Sequence, residues 1–399
     1  MAWSRGQAEG QRMETFTYSF HAAEVIFGPG AVTRLGKLSE RAGWRRLLLC
    51  TTGRSRARGH LASIESALGE RLVAVYEQVE PHVPSSRVAE ATALAAEHDV
   101  DAVIGLGGGS AIGTAKAVSL ALEEQRTGHP ARAAFVTGQP LIPVIAIPTT
   151  YAGSEMTPVY GVTHPADKAD GSARKITVSD PKVAPKLVIY DPLLTLDLPP
   201  RVTAGTGINA VAHCIEALYS ITRNPLSTAA ALAGLRAIAH ALPCCYDDGS
   251  DVEARAEMLE GAFLAGTALS NVAMGLHHGL CHVLGGATGA AHGDANSVVL
   301  PYAMRFNLDA TSPQLALAAE AMGLPTAGQR AEVAAEAAAE QVAEWVAHMC
   351  LPQRLREIGV AQEQLPALAE LAFASRTVRN NPKPIADAAQ IEALLRSAW

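Results

Sequence analysis

Short apolar runs alternate with amphipathic stretches through the first half of the chain, and the pattern changes near residue 195. Arg46–Cys50 reads as a buried strand, followed by a polar turn and a helix over His60–Leu68. Leu72–Tyr76 is a second strand and Ser86–His98 an Ala-rich helix. Ala102–Leu106 is a third strand, Ala111–Glu123 a helix, Leu141–Ile147 a fourth strand, and Leu187–Tyr190 closes the series. Runs that are apolar throughout, alternating with helices, predict a parallel sheet covered on both faces. After the Pro199–Pro200 pair the chain is rich in Ala and Leu at helical spacing. The clearest stretches are Val202–Ser220, Ser227–Ala241, Asp251–Ser270 and Ala331–Met349. The expected architecture is an α/β domain with a parallel sheet over residues 13–195 and an all-helical domain over 196–399.

Length permits two domains, and 49% hydrophobic with 18% charged residues describes an ordinary folded core. A net charge of −7 without a basic run argues against nucleic acid. No apolar run approaches a membrane span, since stretches such as 229–242 are interrupted by Arg236 and His240. No membrane partner and a cytoplasmic location are therefore expected. Residues 1–12 lack the apolar centre of a signal peptide and read as a loose leader, with Met13 as a candidate start. The six cysteines, at 50, 214, 244, 245, 281 and 350, form no CxxC pair, so reduced thiols are expected.

Two features suggest chemistry. The first is GLGGGSAIGTAK, Gly105 to Lys116, which follows one predicted strand and opens a helix. Glycines there let backbone N–H groups approach a ligand, and a helix N-terminus favours anions. The loop fits neither GxGxxG, because position 110 is Ser, nor Walker A, because Thr114 follows Gly113. Its place at the carboxyl end of a parallel strand still suits a pyrophosphate. PTTYAGSE, Pro148 to Glu155, supplies Thr149, Thr150 and Ser154 at the next strand end. Two such loops side by side favour a dinucleotide.

The second feature is GLHHGLCHVLGGATGAAHGDAN, Gly275 to Asn296, with His277, His278, His282 and His292. On a helix His278 and His282 share one face and His277 points elsewhere. His292 returns after a break expected at Gly285, Gly286 and Gly289. GINAVAHCIEALYS places Asn209 and His213 four apart on another helix. A lone histidine is usually a core or capping residue. Four within one short segment, with His213 on a second apolar helix, point to a pocket between two helices.

Together with VIFGPGAV (25–32) and LPYAMRFN (300–307), these residues resemble the iron-containing alcohol dehydrogenase superfamily over nearly the whole chain. The resemblance implies an N-terminal NAD(P)-binding domain and a helical domain that holds a metal through one Asp and three His. The matching positions are Asn209, His213, His278 and His292, with His282 matching a further active-site histidine. Asn in place of Asp, HHGLCHVLGG and TYAGSEMTP resemble the maleylacetate reductase branch, which reduces a carbon–carbon double bond in bacterial aromatic degradation and is regarded as metal-independent. The chain departs from that branch at Gly279, where HHKLCH has Lys, and at Ala291–Asp294, AHGD in place of PHAE. Loss of that lysine matters for a dicarboxylate, which needs cationic partners. Lys175 matches a family lysine that would supply one.

On this resemblance His278 and His292 are expected near a developing oxyanion, and His213 and His282 in proton delivery or carboxylate binding. His277, Asn209 and Lys175 are the substrate-binding candidates. Thr52, Gly107, Gly108, Gly109, Ser110, Thr149, Thr150 and Ser154 are expected to bind the cofactor. Thr52 stands where NAD-selective members carry Asp, with Arg54 and Arg56 close by, so both NADH and NADPH are expected. His213, His278 and His292 would hold a metal if one binds, although Asn209 is a poor ligand for a hard ion and no metal requirement is expected. A homodimer follows from the resemblance. Three other readings remain open: a metal-dependent alcohol dehydrogenase acting on an aldehyde or ketone, a lyase resembling dehydroquinate synthase, and a nucleotide binder without catalysis.

Overall fold

The structure, a computed structural model, describes residues 16–19, 21, 23–128, 140–164 and 174–399, with only the backbone of Arg174 and Lys175. The expected leader at 1–12 lies outside the described residues.

The first half contains β1 (Glu24–Phe27), α1 (Leu35–Ala42), β2 (Leu47–Cys50), α2 (Gly53–Ala57), α3 (His60–Leu68) and β3 (Leu72–Tyr76). It continues with α4 (Ser85–Glu97), β4 (Ala102–Gly107), α5 (Gly109–Thr127), β5 (Val144–Pro148), β6 (Val159–His164), β7 (Arg174–Ser179) and β8 (Leu187–Tyr190). Six of these strands form one parallel sheet in the order β1-β8-β5-β4-β2-β3. Side chains alternate across it, as the strand period requires. Leu47, Leu49, Ile104 and Ile145 face Leu35, Leu61 and Ile64 of α1 and α3. Leu48, Cys50, Val103 and Val144 face Ala91, Ala95, Ala115 and Val118 of α4 and α5. Burial on both faces explains why these strands read as continuous apolar runs. VIFGPGAV forms β1 and the turn after it, where Gly28 and Gly30 adopt φ of 137° and 75°. Asp191 at the end of β8 accepts hydrogen bonds from the backbone of Gly30 and Val32, at 3.0 and 3.1 Å, and pins this turn.

β6 and β7 form a separate antiparallel hairpin that the apolar pattern did not predict. Only alternate positions of β6 are buried, Tyr160 and Val162 among them, so it lacks the continuous run of the main sheet.

The second half is helical: α6 (Pro200–Tyr219), α7 (Pro225–Asp247), α8 (Val252–Leu269), α9 (Leu276–Thr288), α10 (His292–Ala321), α11 (Ala331–His348), α12 (Leu365–Ala374) and α13 (Ala388–Ala398). α6 runs through the middle, buried over nearly its whole length against α7, α8 and α10. The break expected at Gly285 and Gly286 does not occur. α9 passes through both and ends at Gly289, whose φ of 71° is the left-handed C-terminal stop. α7 is long and apolar enough to cross a membrane by length and composition, contrary to the sequence expectation. It packs against α6 and α8 instead.

Arg255 of α8 locks the two halves together. It is fully buried and donates to Tyr151 Oη and Thr203 Oγ1 at 2.9 and 2.8 Å. It also donates to the backbone carbonyls of Leu198 and Gly249 at 3.3 and 3.0 Å. Tyr151 belongs to the loop after β5, so this guanidinium ties the sheet domain to the start of α6.

Candidate active site

The glycine loop bends sharply because β4 and α5 pass close to each other. A Cβ on Gly105 would lie 2.8 Å from the backbone of Ile112, and Gly107 has φ of 138°. A Cβ on Gly108 would lie 3.2 Å from the side chain of Thr150, and Thr149 N donates to Gly107 O at 3.1 Å. The two loops expected to bind a cofactor are therefore in contact. Ala111 N and Ile112 N donate to Gly108 O at 3.0 and 3.2 Å, so Gly109 N and Ser110 N are the N–H groups at the start of α5 left without an intrahelical acceptor, an arrangement that suits an anion. Thr52 lies at the start of α2, its backbone bridged to Gln78. Arg56 is engaged by Glu77 at 2.9 Å and lies 3.8 Å from Glu65.

A cavity of about 390 Å³ opens between Gly109, Ser110 and Ser154 on the sheet domain and Gly205, Asn209 and His292 on the helices. His82 and Val83 form another part of its wall, with φ of 65° and 51°. Two successive left-handed residues with side chains cost on the order of 1–3 kcal/mol each. Thr163 of β6 holds them, donating from Oγ1 to His82 O at 2.8 Å and from N to Val83 O at 3.0 Å. Sequence reading missed this wall, because the tether comes from a strand 80 residues away.

The histidines predicted from spacing do come together. The His213 and His278 rings stack with centroids 4.8 Å apart, and His282 lies 6.5 Å from His278. His292, at the start of α10, lies 6.4 Å from His278 and 6.0 Å from His282. Of these five histidines, His292 lines the cavity, and His213, His277, His278 and His282 do not. His277 is fully buried behind His278, with Nε2 3.6 Å from Cys281 Sγ and 3.4 Å from Asn296 O. Burial and the neighbouring His278 pull its pKa down to about 3. Lys175 pairs with Thr163 across the hairpin, and its side chain lies outside the described residues.

Glu216, one turn beyond His213 on α6, is the functional residue that sequence reading missed. Its carboxylate accepts from the backbone N–H groups of Gly275, His277 and His278 at 3.1, 3.2 and 3.3 Å. It also accepts from His278 Nδ1 at 2.5 Å. These are the free donors at the start of α9, where a helix favours an anion. Burial alone would raise the Glu216 pKa, but the bond to His278 and its charge hold it below the usual carboxylate range. The signal was available: a single acid within the apolar run CIEALY needs a buried partner. With Nδ1–H given to Glu216, His278 presents Nε2 to the cluster as its second functional atom. That Nε2, His213 Nδ1 and Asn209 Oδ1 are all buried without a hydrogen-bond partner. Asn209 Nδ2 donates to Ala152 O at 3.4 Å. Burial and the adjacent imidazoles hold the His213 pKa well below its ordinary value.

Asn209 Oδ1, His213 Nδ1 and His278 Nε2 are uncharged donor atoms, and Asn209 stands where the resemblance implies an acid, so the set lacks the anionic ligand that a hard divalent ion favours. Glu216, His277 and His278 offer atoms within 4.8 Å of one another, a spacing that can hold a cation. Glu216 Oε2 and His278 Nδ1 are, however, already in hydrogen-bond contact. Among the described residues, Glu216 is the acid grouped with these histidines.

Gly279 changes the expectation about the missing lysine. A Cβ there would lie 2.4 Å from Val378 Cγ2 and 3.1 Å from Val378 N. A side chain at this position points into α9 packing, so its loss vacates no cationic place in the cleft of this chain.

Comparison with known proteins agrees with this geometry. Residues 22–192 match the iron-containing alcohol dehydrogenase family model, and residues 203–399 match the Fe-containing alcohol dehydrogenase family, C-terminal model. The chain is 35% identical over 391 residues to maleylacetate reductase 1 of Cupriavidus pinatubonensis, covering 97% of this chain and 98% of that protein. The crystal structure of maleylacetate reductase from Rhizobium sp. matches with TM-score 0.81 and 34% identity, covering 97% and 99% of the two chains. A 1,3-propanediol oxidoreductase matches with TM-score 0.88 and 30% identity, covering 97% and 100%. Backbone similarity alone thus does not separate a double-bond reductase from an alcohol dehydrogenase; near-full-length identity of about 35% to several maleylacetate reductases places the chain with the reductases. This chain is an oxidoreductase of the iron-containing alcohol dehydrogenase family, and it belongs to the maleylacetate reductase branch.

Proposed function

We propose that the protein reduces the carbon–carbon double bond of maleylacetate to give 3-oxoadipate, with NADH or NADPH. The observation that carries this reading is the buried imidazole cluster anchored by Glu216, with neutral Asn209 at the family's acidic metal position. Bound NADH or NADPH would supply a hydride to the alkene carbon β to the ketone. The electron pair moves onto the ketone oxygen as an enolate, and a proton then goes to the α carbon. We assign His278, as the imidazolium with Nδ1–H on Glu216 and Nε2–H left to donate, and His292 to the oxyanion, where oriented N–H donors stabilise charge as it develops. His282 is the candidate to deliver the proton, and His213, which burial holds neutral, is the candidate to hydrogen-bond a substrate carboxylate. The two loops at Gly107–Ser110 and Thr149–Ser154 are assigned to the cofactor, with Thr52 near its ribose. A cytoplasmic homodimer without nucleic-acid or membrane partners completes the reading. Light scattering should give twice the chain mass at micromolar concentration; a monomer would refute the dimer.

The test is NADH absorbance with maleylacetate and with simple aldehydes, each before and after dialysis against chelator. Turnover of maleylacetate that survives the chelator is expected. One ion per subunit by elemental analysis, with activity lost on its removal, would overturn the metal-free reading and return the chain to metal-dependent aldehyde chemistry. Asn209→Asp is expected to increase retained metal, because it restores an anionic ligand.

Both nicotinamide cofactors are expected to work, with a preference below about a hundredfold, since no carboxylate occupies position 52. The Arg56–Glu77 pair keeps Arg56 from a 2′-phosphate. Glu77→Gln should therefore shift kcat/KM several-fold toward NADPH. An unchanged ratio would remove Arg56 from cofactor selection.

A further inference from the structure

Lys116 is a buried cation that the proposed reaction does not use. It lies on α5, two turns beyond the glycine loop, and is fully buried. Its ammonium donates to the backbone carbonyls of Ser154, Thr157 and Val159 at 2.6, 2.7 and 3.0 Å, and to Thr157 Oγ1 at 3.4 Å. Ser154 and Thr157 belong to the segment that joins β5 to β6, and Val159 is the first residue of β6. The nearby Glu155 carboxyl is also buried and accepts from Tyr190 Oη at 2.9 Å. Burial pulls Lys116 down to about 7 and pushes Glu155 up to about 7, so this charge is held at a cost. A buried ammonium kept in place by carbonyls of a loop implies that the loop's position matters, because an apolar residue would fill the space without that desolvation.

The gripped segment touches both working parts of the site. Ala152 and Ser154 line the cleft opposite Gly109 and Ser110, which are carried by the same helix as Lys116. A Cβ on Gly153 would lie 3.5 Å from His213 Nδ1 and 3.3 Å from Gly266, so this turn is seated directly on the histidine cluster. Ala152 O receives the amide of Asn209. We propose that Lys116 is a positioning residue: through the carbonyls of Ser154, Thr157 and Val159 it sets the spacing between the two nucleotide loops and the seat of His213. The inference rests on the assignment of those loops to the cofactor.

The test is direct nucleotide binding by Lys116→Met and Lys116→Gln, measured by NADH fluorescence without substrate. Hydrogen exchange of the amides of residues 154–160 is followed in parallel. Lys116→Met should weaken NADH binding by about tenfold or more, as expected when a site loosens by a fraction of an ångström. Lys116→Gln retains an N–H donor for one or two carbonyls and should fall between Met and the wild type. Amides of 154–160 should exchange faster in Lys116→Gln while those of β2 and β8 keep their wild-type rates. Wild-type NADH affinity in soluble Lys116→Gln, with exchange raised evenly over the chain, would reduce Lys116 to a structural role and overturn the proposal. If Lys116→Met does not fold, Lys116→Gln alone decides. Wild-type protein that fails to bind NADH would instead overturn the cofactor assignment.

Discussion

Replacing His278 by Ala is expected to remove turnover, by about 10²–10⁴-fold in kcat, while NADH binding stays within a few-fold of wild type. Among the described residues, His278 is the one imidazole whose Nδ1 is fixed by a carboxylate and whose Nε2 is buried without a partner. Removing it deletes an oriented donor that gains strength only as charge develops on the substrate, so kcat should fall rather than cofactor affinity. Glu216→Gln keeps the shape of the anchor but removes its charge. A loss of about 10–100-fold is expected, the usual scale for a group that orients a functional histidine. The two effects should not add: in the double variant, Glu216 has no His278 to orient. Single-turnover and steady-state rates with maleylacetate, with NADH binding measured separately, check this. Near-normal kcat in His278→Ala would take that residue out of the reaction.

Arg255→Met should be the most destabilising of the changes away from the cleft. It leaves Tyr151 Oη, Thr203 Oγ1 and two backbone carbonyls without their buried donor. Each unsatisfied group costs about 1–3 kcal/mol, partly offset because a guanidinium no longer has to be desolvated. A net loss of about 3 kcal/mol is expected, and for domains of this size that corresponds to a fall of roughly 6–12 °C in Tm. Arg255→Lys keeps the charge but loses the fork that reaches several acceptors at once, so it should melt between Met and wild type. Because Arg255 touches none of the reacting groups, kcat well below the melting range should stay near wild type. A calorimetric Tm within 2 °C or so of wild type would show that the neighbouring carbonyls find other donors.

The sequence revealed most where one physical requirement dominated. The strand at Leu187–Tyr190 matches its expected bounds because an apolar run buried on both faces has no polar phase to confuse it, and the half-buried edge strand Leu72–Tyr76 matches through its unbroken apolar run. The meeting of His278, His282, His213 and His292 followed from helical spacing and one return of the chain. Gly285 and Gly286 misled because glycine permits a break without compelling one; the helix stops where Gly289 takes a positive φ. The apolar run CIEALY signals that Glu216 needs a buried partner but not which one, because His278 and the backbone N–H groups that meet it belong to another helix. The left-handed pair His82–Val83 depends on a tether from Thr163, and no local pattern encodes a contact of that range.

The contact between Gly279 and Val378 also constrains how this chain can change over generations. With only 2.4 Å between a Cβ at 279 and Val378 Cγ2, the lysine of the HHKLCH pattern has no room while Val378 is present. A lineage that acquired Gly279→Lys first would pass through an overpacked protein, a step that typically costs 1–3 kcal/mol or more. One that first acquired Val378→Ala would pass through a small cavity instead, and the lysine would then relieve a defect rather than create one. The same two substitutions are therefore unequal in the two orders: the position of the glycine sets the direction of the mutational path, independently of any selection on the reaction itself.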